Sequence, residues 1–436
     1  MYSLKTLLDY LGITVFSRET MKSLTKGKKI SNEKATYTHL LNRIGDVESV
    51  LGYEEFYKQF NSLRLNSKIR KIIKQCIKDT SLIHYDIPFP QPKEYEFTFA
   101  DVFCNIGGAT LGLMNEGGRC VFSVESEKKK WSNVYTMNYG VVPYVYPEWI
   151  KSEFPKADIL VSSLDLQQIP LIQNGKISFD EMQETDYYRL IEIINRVQPQ
   201  AFIIESKKTL REETLQKTIS VLIRTLKETT GYYVVNPAIL EALNYGVPQQ
   251  RKRLWFAAFA NPISAMEFRW PNPQKRTWKL KDILEENPEP KYYISEEHFN
   301  FLKGYDRKNK ELGYRFSSNI LDKEEESYSI IYGGKGWDKN IIQQPQKAPQ
   351  FLPNGQRCNN MGLRRLTSTE LYRLQGFPDE FISLDGWRTA WDYAGRATNV
   401  KVVSSIMSEI KKAISVETIN TGAKKLIESG LNFNRE

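Results

Sequence analysis

Two hydrophobic periodicities divide the 436-residue chain. Up to about residue 92, apolar positions recur every three or four residues, as in "LKTLLDYLGI" and "LGYEEFYKQFNSLRL", without the alternation of a half-buried strand. This predicts a separate helical unit over residues 1–92, ended by the proline-rich linker "HYDIPFPQPKEYEF". From Phe97 the pattern changes to short apolar runs: "FTFADVF", "RCVFSVE", "ADILVSS", "QAFIIES", "YYVVNPAIL" and "RLWFAAF". Between them lie "DYYRLIEIINRV" and "TLQKTISVLIRTLKETTG", which carry helical periodicity, the second closing on Gly231. Strands alternating with helices predict an α/β fold, a mostly parallel sheet with helices on both faces, over residues 96–260. Over 261–360 the order loosens into Pro, Asn, Gly, Lys and Gln with few clear strands. Helical signals return within 361–436, at "TSTELYRLQGF" and "NVKVVSSIMSEIKKAI".

Charge sharpens this picture. The net charge is +9, which suits a polyanionic partner. The stretch "RLNSKIRKIIKQCIK" holds Arg64, Lys68, Arg70, Lys71, Lys74 and Lys78 with no acid between them. Such a helix can lie along a phosphate backbone, and a solvated basic face is the competing reading. The four cysteines (Cys76, Cys104, Cys120, Cys358) form no Cys-x-x-Cys pair and only three histidines accompany them, so no metal site is expected. No run approaches the roughly 20 apolar residues of a membrane span. The first residues lack the features of a secretory signal, so a cytoplasmic protein is expected, nucleoid-associated if bacterial.

Four stretches carry candidate chemistry. In "FADVFCNIGGATLGLMNEGG" a strand ends at Phe103 and the pair Gly107 and Gly108 opens a helix, a turn that lets a ligand approach free backbone amides. Glu125 ends the next strand, placed to accept ribose hydroxyls; a tight turn followed by a surface acid is the alternative. Glu205, in "QPQAFIIESKKTL", follows a buried strand, where a carboxylate can pair with a base edge or handle a proton; a strand-end acid in solvent is the alternative. In "NYGVPQQRKRLWFAAF", Gln249, Arg251 and Arg253 alternate, so the two guanidiniums point to one side and suit phosphates or a carboxylate; a plain basic strand end is the competing reading. In "GLRRLTSTELYRLQGFPDEF", Thr367 or Ser368 caps a helix ahead of Glu370, a structural role. One further loop raises a difficulty. "ILVSSLDLQQIP" is built like the catalytic loop of an α/β enzyme, yet past Ser162 and Ser163 it holds no nucleophile.

In this order the stretches resemble the DNA (cytosine-5) methyltransferases, over roughly residues 96–415. "DVFCNIGG" is similar to the family's cofactor loop, "PQQRKR" to its Gln-x-Arg-x-Arg element, and "RRLTSTELYRLQGFPDEF" to the element that follows the target-recognition region. The resemblance implies a Rossmann-like fold that uses S-adenosyl-L-methionine, with a small target-recognition domain and the N-terminal helical extension. It implies that Phe103, Gly107, Gly108 and Glu125 face the cofactor and that Glu205, Arg251 and Arg253 are what remains of the catalytic set. It places Gln249, Arg251, Arg253, Arg364 and Arg365 toward double-stranded DNA. Leu166 stands where the family's cysteine attacks carbon 6 of cytosine, and leucine forms no such adduct. Asn105 replaces the first loop glycine, Ser206-Lys207 follow Glu205 in place of Asn-Val, and Gly395-Arg396-Ala397-Thr398 replaces Gly-Asn-Ser-Val. The expectation is a catalytically impaired homologue that binds DNA, with an active methyltransferase subunit as candidate partner. The alternatives are an active enzyme with an unusual nucleophile or a completing partner chain, and a protein-interaction scaffold with no DNA role.

Overall fold

The computed structural model describes residues 87–126, 130–145, 153–164, 185–207, 212–311, 320–332, 338–382 and 386–428. The expected basic helical unit, as far as residue 86, and the loop carrying Leu166 lie outside the described residues. In chain order the elements begin with β1 (Phe97–Val102), α1 (Gly108–Met114), β2 (Gly118–Glu125), α2 (Lys130–Tyr139), β3 (Tyr144–Val145) and β4 (Ile159–Ser163). Then come α3 (Asp186–Val197), β5 (Ala201–Lys207), α4 (Glu212–Thr230), β6 (Tyr233–Val234), β7 (Ala238–Glu241), β8 (Gln249–Gln250) and β9 (Lys252–Phe259). After α5 (Pro262–Glu267) and α6 (Glu296–Glu311) follow β10 (Ile320–Leu321), β11 (Ser327–Tyr328), β12 (Ile341–Gln343) and β13 (Leu363–Arg365). The chain closes with α7 (Ser368–Leu374), α8 (Trp387–Arg396) and α9 (Val400–Glu428).

The main sheet runs β3-β2-β1-β4-β5-β9-β6, with β7 also paired to β9. Its first five strands are parallel, and β9 runs antiparallel to β5, β6 and β7. Its central strands are apolar on both sides because both sides are covered. Leu160, Phe202, Ile204, Leu254 and Phe256 join the core with α3 and α4, while Ile159, Val161, Ile203, Trp255 and Ala257 join the core with α9. The helix α3 shows how the sequence specifies this. Tyr187, Leu190, Ile191, Ile194 and Val197 fall on one buried stripe, and Thr185 caps the helix by accepting the Tyr188 N–H.

Several expectations are corrected. "YYVVNPAIL" is two strands, β6 and β7, because Asn236-Pro237 interrupts the ladder. Residues 87–92 are no free linker: Ile87 is buried, the Phe89 N–H donates to the Asn138 carbonyl, and Gln91 accepts the Cys120 N–H. Past residue 260 a small sheet, β10-β12-β13, extends beyond the boundary drawn at 360. It packs Ile341 and Leu363 against Ile294, Phe299 and Leu302. The helix α9 returns to the main sheet through Val403, Ile406, Met407 and Ile410.

Candidate cofactor and catalytic site

Strand order reverses between β1 and β4, and the crevice beyond their carboxyl ends is where open α/β sheets bind ligands. The loop after β1 forms one wall. Phe103 and Asn105 both adopt positive φ, 60° and 50°. Asparagine tolerates this conformation far better than most residues, so Asn105 keeps the backbone shape of a glycine while adding a side chain. That side chain donates to the Phe103 carbonyl at 3.0 Å. The Asn105 N–H donates to the Glu125 carboxylate at 2.5 Å, and the Cys104 thiol approaches the same oxygen at 3.7 Å. Glu125 is 3% exposed. Burial raises its pKa to about 7, against the lowering pull of the Asn105 N–H.

The glycines are required by close packing of the protein on itself. A Cβ on Gly107 would stand 2.1 Å from the Tyr139 ring, and one on Gly108 would stand 2.0 Å from the Thr398 carbonyl. Tyr139 also donates its hydroxyl to the Gly107 carbonyl. Opposite the loop, the Arg396 guanidinium lies 4.0 Å above the Tyr332 ring and 5.2 Å above the Trp131 ring. Behind it is a polar cluster that sequence reasoning missed. Asp101 is fully buried and accepts both the Thr110 N–H and hydroxyl, while the Thr110 and Tyr135 hydroxyls lie 2.7 Å apart. Burial raises the Asp101 pKa to about 7 despite those hydrogen bonds. The only available signal was an aspartate inside an otherwise apolar strand.

At the ends of β4 and β5, Glu205 pairs in register with Ser163. It is 2% exposed. Thr398 donates its hydroxyl to one carboxylate oxygen, which also lies 3.4 Å from the Ser163 hydroxyl. The other oxygen is 3.3 Å from Arg253 Nε, an ion-pair distance without hydrogen-bond alignment. Three chain groups thus enclose the acid. The described cysteines offer no substitute nucleophile beside it: all three are buried, Cys104 against Glu125, Cys120 against the Phe122 carbonyl and Cys358 against the Ile294 carbonyl.

The DNA-facing set divides. Arg253 keeps some exposure at Glu205, and Arg365 is partly exposed beside Asp338 and the Trp387 ring. The other three are corrected to interior roles. Arg251 does not share a surface with Arg253: it is buried and donates to the carbonyls of Ile330, Gly395 and Ala397. Gln249 clasps the Leu374 carbonyl and the Ile330 N–H. Arg364 forms a fully buried bidentate pair with Glu370, at 2.8 and 2.7 Å. Apart from Arg251 Nε, which has no hydrogen-bond partner, these polar groups are satisfied inside the protein, and Gln249 and Arg251 tie the β8–β9 turn to the segments around Ile330, Leu374 and Gly395.

Among the described residues no group of His, Cys, Asp or Glu could hold a metal ion, and no helix is long and apolar enough to cross a membrane.

The parallel sheet, its antiparallel β9 and the crevice at the β1–β4 switch define the architecture of an S-adenosylmethionine-dependent methyltransferase. The S. pombe Dnmt2 methyltransferase superposes with a TM-score of 0.53 at 16% identity, covering 73% of this chain and 99% of that one. The Entamoeba histolytica methyltransferase EhMeth gives 0.54 at 14% identity, covering 74% and 99%. Likeness at this identity shows the fold. The family is shown by sequence: residues 97–412 match the C-5 cytosine-specific DNA methylase family, and the chain belongs to it. The type II methyltransferase M.HpaII of Haemophilus parainfluenzae is 31% identical over 322 residues, 72% of this chain and 89% of that protein. M.NlaX of Neisseria lactamica is 30% identical over 329 residues, 73% and 97%.

Proposed function

We propose that this chain is a DNA cytosine-5 methyltransferase homologue that has lost methyl transfer and acts as a DNA-binding, non-catalytic subunit in a restriction–modification setting. One observation carries the reading. The two acids that the family resemblance assigns to cofactor and cytosine, Glu125 and Glu205, are buried and turned onto the chain's own groups. S-adenosylmethionine does not fit the residues present. At Glu125 one carboxylate oxygen already accepts the Asn105 N–H and faces the Cys104 thiol, and the space that glycine leaves at positions 107 and 108 is taken by Tyr139 and Thr398. At the nucleophile position Leu166 has no lone pair with which to attack carbon 6, so carbon 5 never becomes reactive. An active methyltransferase chain is the partner this reading calls for. DNA remains the ligand because the family acts on DNA and the chain is basic.

Titration calorimetry of S-adenosylmethionine into the full chain tests the cofactor half, and labelled methyl transfer to mixed-sequence duplex DNA tests the reaction. The expected results are no binding heat, no incorporation, and duplex binding that weakens steeply with salt. Cofactor binding at micromolar strength, roughly −8 kcal/mol, would overturn the closed-site reading. Methyl incorporation that disappears on Glu205→Ala would restore the active-enzyme reading.

A further inference from the structure

A cavity of about 320 Å³ lies at the N-terminal end of α8, lined by Lys291, Tyr292, Arg365, Trp387, Arg388 and Thr389. It is separate from the crevice at β1 and β4. The two face opposite ends of the ten-residue α8, whose far end carries Arg396, about 15 Å away at the helical rise. Three cations, two aromatic rings and the Thr389 hydroxyl meet here, and among the described residues no carboxylate lines the cavity. Two of the cations pair with acids that are not among the lining residues: Glu289 holds Lys291 at 2.6 Å, and Asp338 holds Arg365 through Nε and one terminal nitrogen. The other terminal nitrogen, Nη1, has no hydrogen-bond partner among the described residues.

The walls are fixed in place. The Trp387 indole donates to the Leu366 carbonyl at 2.8 Å, and the Arg365 guanidinium lies over its ring at 5.1 Å. The Tyr292 hydroxyl is held at 3.3 Å from that of Ser368. Gly386, the N-cap of α8, gives no side-chain cap and no acid occupies the first turn, so the helix end adds positive potential. Exposed lysines and arginines on a convex face are ordinary solvated charge. Three gathered around a concavity with rigid aromatic walls match the compact, multiply charged acceptor, with several oxygens to bond, that a phosphoryl group presents.

We propose that this cavity is a phosphate-binding site, taking either a phosphate of the DNA backbone or a free phosphoryl compound. The double variant Lys291→Gln/Arg388→Gln tests it, since both side chains are exposed and their replacement leaves the fold intact by thermal melting. Inorganic pyrophosphate is titrated into the full chain and into the variant by phosphorus NMR. Duplex DNA binding is measured for both across a salt series. The expected result is millimolar pyrophosphate binding that the variant loses, with a salt slope reduced by about 0.9, the value for one phosphate contact. Pyrophosphate binding lost with an unchanged DNA slope assigns the site to a free phosphoryl compound. A reduced slope alone assigns it to the DNA backbone. An unchanged pyrophosphate affinity together with an unchanged salt slope overturns the proposal. The pyrophosphate arm is independent of DNA binding, so failure of the non-catalytic-subunit reading would leave it standing.

Discussion

At the scale of single residues, two carboxyls give the molecule a pH dependence. Asp101 and Glu125 are buried acids whose pKa values rise from 3.8 and 4.5 to about 7. In the unfolded chain they ionise near their ordinary values, while in the folded protein they hold their protons to about neutral pH. The folded state therefore binds more protons through the interval, and stability falls as pH rises from about 4 to about 7. Shifts of this size are worth on the order of a few kcal/mol. Asp101→Asn, which cannot ionise, should flatten its share of that slope, measured by urea unfolding at a series of pH values. A wild-type stability that rises through this window would contradict the burial argument.

At the scale of elements, the joint between β13 and α7 rests on Arg364 and Glu370. Glu370 also closes the capping box with Thr367 and accepts the Glu285 N–H, so one carboxylate ties a strand, a helix and a loop together. Replacing both partners with apolar groups would cost little, whereas removing one strands a buried charge. Arg364→Met should destabilise the protein by about 3–5 kcal/mol, read as a shift in the urea midpoint. A change under about 1 kcal/mol would place Arg364 in solvent. Thr367 and Glu370 could be read as a cap from their spacing, and Gly376 as its stop. The buried partner could not, because nothing local separates a cap-box glutamate from an ion-paired one.

At the scale of the whole molecule, the proposed loss of methyl transfer has the departures from the family pattern act together. Leu166, Asn105, Arg396 and the enclosed Glu205 come from four separate stretches. Repairing one leaves the others, so Leu166→Cys alone should yield no methyl incorporation. Activity from that single change would mean that the cofactor and acid sites were intact. The wide spacing of these positions also explains why the sequence could name the substitutions without revealing their consequence. Arg396 lies on Trp131 and Tyr332, residues far from it in the chain.

By itself the sequence determined the strands β1, β2, β4, β5 and β9, the helices α3, α4 and α7, the turn at Phe103 to Gly108, and the family. Periodicity and motif spacing are local properties, and a strand buried on both sides states its burial in its own residues. Only the tertiary structure decided which polar side chains face solvent. Alternation put Arg251 and Arg253 on one side, yet carbonyls 79 and 146 residues away draw Arg251 into the interior while Arg253 stays at Glu205. Likewise a glycine states that something approaches its backbone closely. The identity of that neighbour, Tyr139 for Gly107 and Thr398 for Gly108, depends on segments that meet only when the chain has folded.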